Sequence, residues 1–352
     1  MGIDPVRTLH EVGLDPSCLT TPDLRIPESS LAEVIAVSAC AAGTASLGVR
    51  IGEAWRLSDF GPLSLFLQHQ PTLRHVLAQI ENYRYLLSDS VVIHVEEIAD
   101  VAVVHVGLVT GRPDPGPEIV ELTVGVVFSL MRSVLGPQFL PRSVHFTHAA
   151  PAHLEVHRRF LGRHVEFGSQ FDSIVLSRQD LDRPNPLADA RLAHYAQQLL
   201  DLQPRYNPES LADNVRRTIH VLLPRGQGTI EPISLRLGLT PRTLQRQLEQ
   251  TGQRFSTLLN EVRESLAVRY LIQPNHSMSD IADLLGFSEL SAFSRWFSAE
   301  FGKPPSQWRN AYLDQTPAGP DQHGTGLTGT RSQFGSQSSD AGKNVLTTES
   351  PS

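Results

Sequence analysis

Cysteine is scarce in this 352-residue chain, where Cys18 and Cys40 are the only two. They show no paired metal-ligand spacing and no second pair for a disulfide framework. Both therefore read as small buried hydrophobes. Long apolar runs are also missing, since no stretch approaches the roughly 18 residues that a bilayer span requires. The N-terminus, MGIDPVRTLHEVGLDP, has acids and prolines where a secretory signal needs a basic start and an apolar segment, so the chain is expected in the cytoplasm, without a membrane partner. HExxH, Gly-x-Ser-x-Gly, a Walker loop and a dinucleotide glycine fingerprint are absent. No catalytic residue is assigned, and neither enzymatic activity, a cofactor nor a metal is expected.

Lysine is nearly missing, for 28 of the 30 basic residues are arginine. Arginine suits bidentate recognition of phosphate and guanine, although a GC-rich genome alone produces the same bias. The net charge of −7 argues at first against a nucleic-acid partner. Its distribution is uneven: residues 1–227 carry −6, residues 228–313 carry +1 and the remainder −2. The C-terminal third is the part least repelled by DNA, and it is too nearly neutral for nonspecific architectural binding.

Hydrophobic residues at 40% and charged residues at 19% fit a globular protein long enough for two cores. Apolar positions recur at helical spacing over 28–42, 72–87 and 117–135. Valine-dense runs at Val91 to Val95 and Val101 to Val106 predict two strands joined around Ala99 and Asp100, with further strands at Ser143 to Thr147 and Ser173 to Leu176. Together these predict a mixed α/β or α+β domain over 1–190. Prolines at 184, 186, 204 and 208 mark 191–208 as a linker. The Gly-, Ser- and Thr-rich stretch 314–352 is expected to be a disordered tail.

Between linker and tail, 209–313, one unit occurs twice: ISLRLGLTPRTLQRQL at 233–248 and IADLLGFSELSAFSRWF at 281–297, the latter with one extra residue after its turn. In each, Ile (233, 281) precedes Gly (238, 286) by five positions, and a small residue (Ser234, Ala282) stands where two helices approach. That is the pattern of a helix-turn-helix. Gly238 and Gly286 are expected in left-handed conformation, Leu239 and Phe287 plug the turns, and Thr240 and Ser288 cap the second helices. Leu244 with Leu248, and Phe293 with Phe297, then seat those helices. The opposite faces offer Arg242, Gln245 and Arg246 in the first copy and Ser291, Ser294 and Arg295 in the second. Arg reaches guanine O6 and N7, Gln pairs with adenine and Ser serves base or phosphate. One such pattern alone describes many ordinary solvated helices; two in tandem are far more specific. Between them Phe255, Leu258, Leu259, Val262 and Leu266 predict one continuous helix to Ile272. Its length, about 27 Å at 1.5 Å per residue, lets two reading helices enter successive major-groove segments about 34 Å apart.

Residues 209–313 resemble the DNA-binding domain of the AraC/XylS family of transcription regulators. LGLTPRTLQRQLEQTG carries the likeness in the first motif and DIADLLGFSELSAFSRWFSAEFGKPPSQWR in the second, with Gly286, Phe287, Ser288, Phe293, Arg295, Phe297, Phe301, Gly302, Pro305 and Arg309 matching. The resemblance puts base contacts at the same six positions. Ser234 stands where the family usually has Ala, and Lys303 is the domain's only lysine. The first 190 residues resemble the arabinose-binding-type regulatory domain of a subset of these regulators, through Asp59-Phe60-Gly61-Pro62-Leu63, Pro71-Thr72-Leu73, Pro141-Arg142-Ser143-Val144 and Asp180-Leu181-Asp182-Arg183-Pro184. This implies a sensor of some small molecule, not of arabinose in particular, built otherwise than as a cupin barrel, or else a dimer contact or a purely structural unit. The expected partners are double-stranded promoter DNA and a small-molecule effector; RNA polymerase and a second copy of the chain stay open. The competing reading is a metal-dependent enzyme using His145, His148, His153 and His157, of which the last two stand at i,i+4 on an expected helix.

Overall fold

Two helix starts in the first third of the chain, those of the first and fifth helices, carry side chains that hold free backbone amides. The structure is a computed structural model, and it describes residues 3–21, 24–44, 46–110, 114–203, 210–273 and 276–315. In α1 (Pro5–Glu11) the Asp4 carboxylate accepts the amides of Val6 and Arg7, and proline occupies the first turn, where no amide is missed. Next come α2 (Glu28–Ala42), α3 (Leu47–Ala54), α4 (Leu63–Gln68) and α5 (Leu73–Asn82), the last capped by Thr72. The segment expected as one helix over 72–87 is α5 followed by a short 3-10 turn, Arg84–Leu86.

The valine runs form the hairpin of β1 (Val91–Ile98) and β2 (Val101–Leu108), turning at Ala99 and Asp100. Helix α6 (Pro117–Leu135) follows, then β3 (Ser143–His145), α7 (Glu155–Leu161), β4 (Val165–Glu166), β5 (Ser173–Ser177), α8 (Arg178–Asp182) and α9 (Ala190–Asp201). The strands lie in the order β1-β2-β5-β3-β4, antiparallel except for the parallel pair β3 and β4. The register turns Ile93, Val104, Val106, Ile174, Leu176 and Val144 to one face, all buried in the first core with α6. On the other face His94 pairs with His105 and Val92 with Gly107.

Helices α3 and α6 approach backbone to backbone. A Cβ added at Gly52 would stand 2.7 Å from the Gly125 Cα, and one at Gly48 only 2.0 Å from the Glu118 carbonyl oxygen. The Glu118 carboxylate accepts the Gly48 amide at 2.9 Å. Glycine is required there by the approach, not by a turn.

Two expectations change. Cys40 is exposed and Cys18 half-buried, so neither is a core residue. The segment 191–208 does not begin as a linker: α9 occupies it to Asp201, with Ala196 and Leu200 buried in the first core. Its prolines bracket a helix instead of breaking one. Residues 204–209, and the tail beyond Gln315, lie outside the described residues.

The second core belongs to helices alone: α10 (Leu211–Leu222), α11 (Ile230–Arg236), α12 (Pro241–Gln250), α13 (Phe255–Ile272), α14 (Met278–Leu284), α15 (Leu290–Phe301) and α16 (Pro305–Gln315). Among the described residues no single helix is long and apolar enough to cross a membrane.

The two cores share one compact unit, Met1–Leu313. Arg269 of α13 meets Asp172 at 2.9 Å, both nearly buried, and Asp172 also accepts the Thr147 amide at 2.7 Å. Arg225 lies over the Phe171 ring and 3.7 Å from Glu96, which in turn pairs with His105 at 3.1 Å. Arg217 of α10 donates to the Asp89 carbonyl, and Arg84 to Asn214. The polar face of the hairpin thus becomes the seat of the helical domain.

Candidate nucleic-acid interface

Ile233 and Ile281 are fully buried, and Ser234 and Ala282 nearly so, which lets the helices of each motif cross closely. The Ser234 hydroxyl donates to the Glu231 carbonyl at 3.0 Å, so the departure from alanine leaves no orphaned polar group. Gly238 and Gly286 adopt φ +67° and +69°, ending α11 and α14 in the left-handed region where a side chain would be strained. Leu239 and Phe287 pack against the second core behind those turns.

Thr240 caps α12 by accepting the Thr243 amide at 3.2 Å, with Pro241 in the first turn. In the second motif the cap moves. Helix α15 starts at Leu290, its N-cap is Glu289, and no side chain holds the cap amides, so Ser288 does not cap it. The extra residue in the second turn shifts the helix start by one position.

Leu244 and Leu248 are buried beneath α12, and Phe293 and Phe297 beneath α15. The second motif is built on aromatic rings: Phe297 stacks on Phe301 at 4.2 Å, and Phe287 lies 5.3 Å from Trp296. Arg263 of α13 covers Phe287 at 4.4 Å and donates to the Leu285 carbonyl at 3.0 Å. Arg309 of α16 donates to the carbonyls of Leu271 and His276, each at 2.9 Å. Two guanidinium groups therefore bolt the second motif to the connector α13.

Opposite the anchors, Arg242, Gln245, Arg246, Ser291 and Arg295 are exposed and Ser294 is half-buried. Among the described residues only Ser291 of these six has a side-chain hydrogen bond, to Glu289 at 3.0 Å. The other five present uncommitted polar groups. Gln245 also faces a cavity of about 560 Å³ beside α13 that includes Glu231 and Glu249.

The four histidines of the enzyme reading do not converge. His153 is exposed and precedes α7, while His157 is fully buried and meets Glu121 at 2.7 Å. His148 lies 3.6 Å from that same carboxylate, and His145 pairs with Ser143 and Ser169. Among the described residues no group of three or more potential ligands could hold a metal ion. The residues that sequence reasoning missed are those joining the two cores, Glu96, Asp172, Arg225 and Arg269.

Comparison with known proteins agrees with this layout. Residues 2–185 match the family described as the arabinose-binding domain of AraC transcription regulators, and residues 233–311 match a helix-turn-helix domain. The HTH-type transcriptional regulator VirS of Mycobacterium tuberculosis is 30% identical over 311 residues, covering 88% of this chain and 92% of that protein. The ornithine utilization regulator of Pseudomonas aeruginosa is 24% identical, covering 84% and 88%. A crystal structure of the transcriptional regulator CdpR from Pseudomonas aeruginosa aligns with 88% of this chain and 99% of its own, at 21% identity and a TM-score of 0.41.

Proposed function

The chain belongs to the AraC-type transcription regulators with an arabinose-binding-type N-terminal domain, and from that premise we propose that its two helix-turn-helix motifs read successive major-groove segments on one face of promoter DNA. That it is a DNA-binding transcription regulator follows from the family itself. The finer reading rests on one observation: two seated helices, joined by the 18-residue α13, each turn uncommitted polar side chains outward. Arg242, Gln245 and Arg246 are the base-reading candidates of α12, and Ser291, Ser294 and Arg295 those of α15.

The effector is assigned to the N-terminal domain on its likeness to a ligand-binding regulatory domain, and it would change DNA occupancy by binding two states of the protein with different affinity. The setting proposed is cytoplasmic and the role non-catalytic, with RNA polymerase and a second copy of the chain as further partners. The test is nuclease protection of a promoter fragment against excess competitor DNA. Arg246→Ala and Arg295→Ala should each cost about 1–3 kcal/mol at the cognate site and less on random DNA. Equal losses on both DNAs reduce these arginines to phosphate contacts.

A further inference from the structure

A cavity of about 440 Å³ lies where the two cores meet. One wall is α5 and β1; the other is α10 and the last turn of α11. The volume suits a small organic molecule. Its surface is divided: Leu77, Ile93, Val221, Leu222 and Leu237 supply apolar area, while four arginines and one carboxylate, Glu81, supply charge. With Glu97 and Asp182 held on Arg74 and Glu81 on Arg84, one positive charge is left over, and a monoanion is its complement.

Most of the guanidinium groups are already engaged. Arg74 pairs with Glu97 and Asp182, Arg84 with Glu81, and Arg217 donates to Asp89 and Asn214. Arg236 differs, for among the described residues it makes no hydrogen bond or ion pair. Across from it, on β1, His94 lines the cavity; its Nδ1 atom, almost wholly covered, has no hydrogen-bond partner, so a ligand oxygen would reach it only after a small turn of the ring. A buried polar atom left without a partner is unfavourable, and a ligand acceptor would offset that.

We infer that this cavity is the effector site, and that it takes a small carboxylate with an apolar body, bridging His94 of the sensor domain and Arg236 of the first helix-turn-helix. The inference rests on the effector-controlled reading above. Burial first, then Arg225 and Arg236, push the His94 ring down to about 4. It is therefore neutral at pH 7, with one N–H to give. One guanidinium and one such N–H match the two oxygens of a carboxylate. The apolar wall accepts the remainder of the molecule.

The position also supplies a route to DNA. Arg236 ends α11 two residues before Gly238, and α12 begins at Pro241. A ligand holding Arg236 against β1 fixes the first reading helix relative to the sensor domain.

The experiment uses the full chain and a series of straight-chain and aryl carboxylates of four to ten carbons, about that range being what the volume admits, each paired with its neutral amide. Thermal shift followed by calorimetry should find a carboxylate that binds saturably, at least tenfold tighter than its amide. Arg236→Gln, a change at an exposed side chain, and His94→Ala should each weaken it at least tenfold. No response to any carboxylate, an equal response to the amides, or binding that survives both substitutions overturns the assignment. Gel shifts on promoter DNA without ligand run in parallel. Specific DNA binding without a carboxylate response rejects the cavity alone, whereas carboxylate binding without specific DNA binding upholds the cavity and rejects the DNA-reading proposal.

Discussion

Arg269 and Asp172 have side chains 11% and 4% exposed, and each comes from a different core. Removing one partner of such a pair leaves the other charged and desolvated. Arg269→Ala should therefore lower the unfolding free energy by about 3–5 kcal/mol in urea titrations at pH 7. A loss below about 1 kcal/mol is what an exposed pair gives, and would mean that the interface is open in solution. This pair was illegible in the sequence, because its members stand 97 positions apart and no local spacing links them. Ile233, Gly238 and Thr240 were legible for the opposite reason. Their roles are local, fixed by a turn and a cap within eight residues. Glu289 in place of Ser288 marks the limit of that reasoning, since one inserted residue moves a helix start without disturbing the apolar anchors.

Helix α13 runs from Phe255 to Ile272, the bounds that its apolar spacing predicts, and α2 and α6 also match their sequence patterns. Long amphipathic or buried helices declare themselves because many side chains agree on one period. The two-residue β4 has no such agreement, and α9 was hidden between prolines that stand outside it. The connector's length also sets a prediction. At about 1.5 Å per residue its 18 residues span roughly 27 Å, close to one turn of DNA. Inserting about five base pairs between the half-sites turns one half to the opposite face of the duplex, and affinity should fall toward that of a single motif. A full-turn insertion should not restore it, since a rigid helix cannot lengthen by about 34 Å. Protection assays on the spaced sites decide this. Recovery at the full turn contradicts a rigid tandem, and indifference to all spacings means that one motif reads alone.

The whole molecule is held together across a layer of neutral histidines. Burial pushes His94 to about 4, His105 to about 4 and His220 to about 3, with nearby Arg225 or Arg269 adding to the effect. Their ordinary value is near 6.5, so between about pH 6.5 and 4 the unfolded chain binds protons that the folded chain refuses. Stability is complete above that window and falls as the solution is acidified through it. The carboxylates Glu97, Asp100 and Asp182, lowered by arginine partners, add their loss only at more acidic pH. Urea midpoints should therefore drop from pH 7.5 to pH 5, and His220→Gln should flatten the slope. An unchanged slope in that variant removes His220 from the account. The tandem motifs carry a different consequence. α12 and α15 expose unlike side chains and are joined within one chain, so no two-fold axis relates them. A site read by this molecule has no reason to be a palindrome. On the proposed reading it has a head and a tail, and reversing it should present arginine and glutamine where the DNA expects serine.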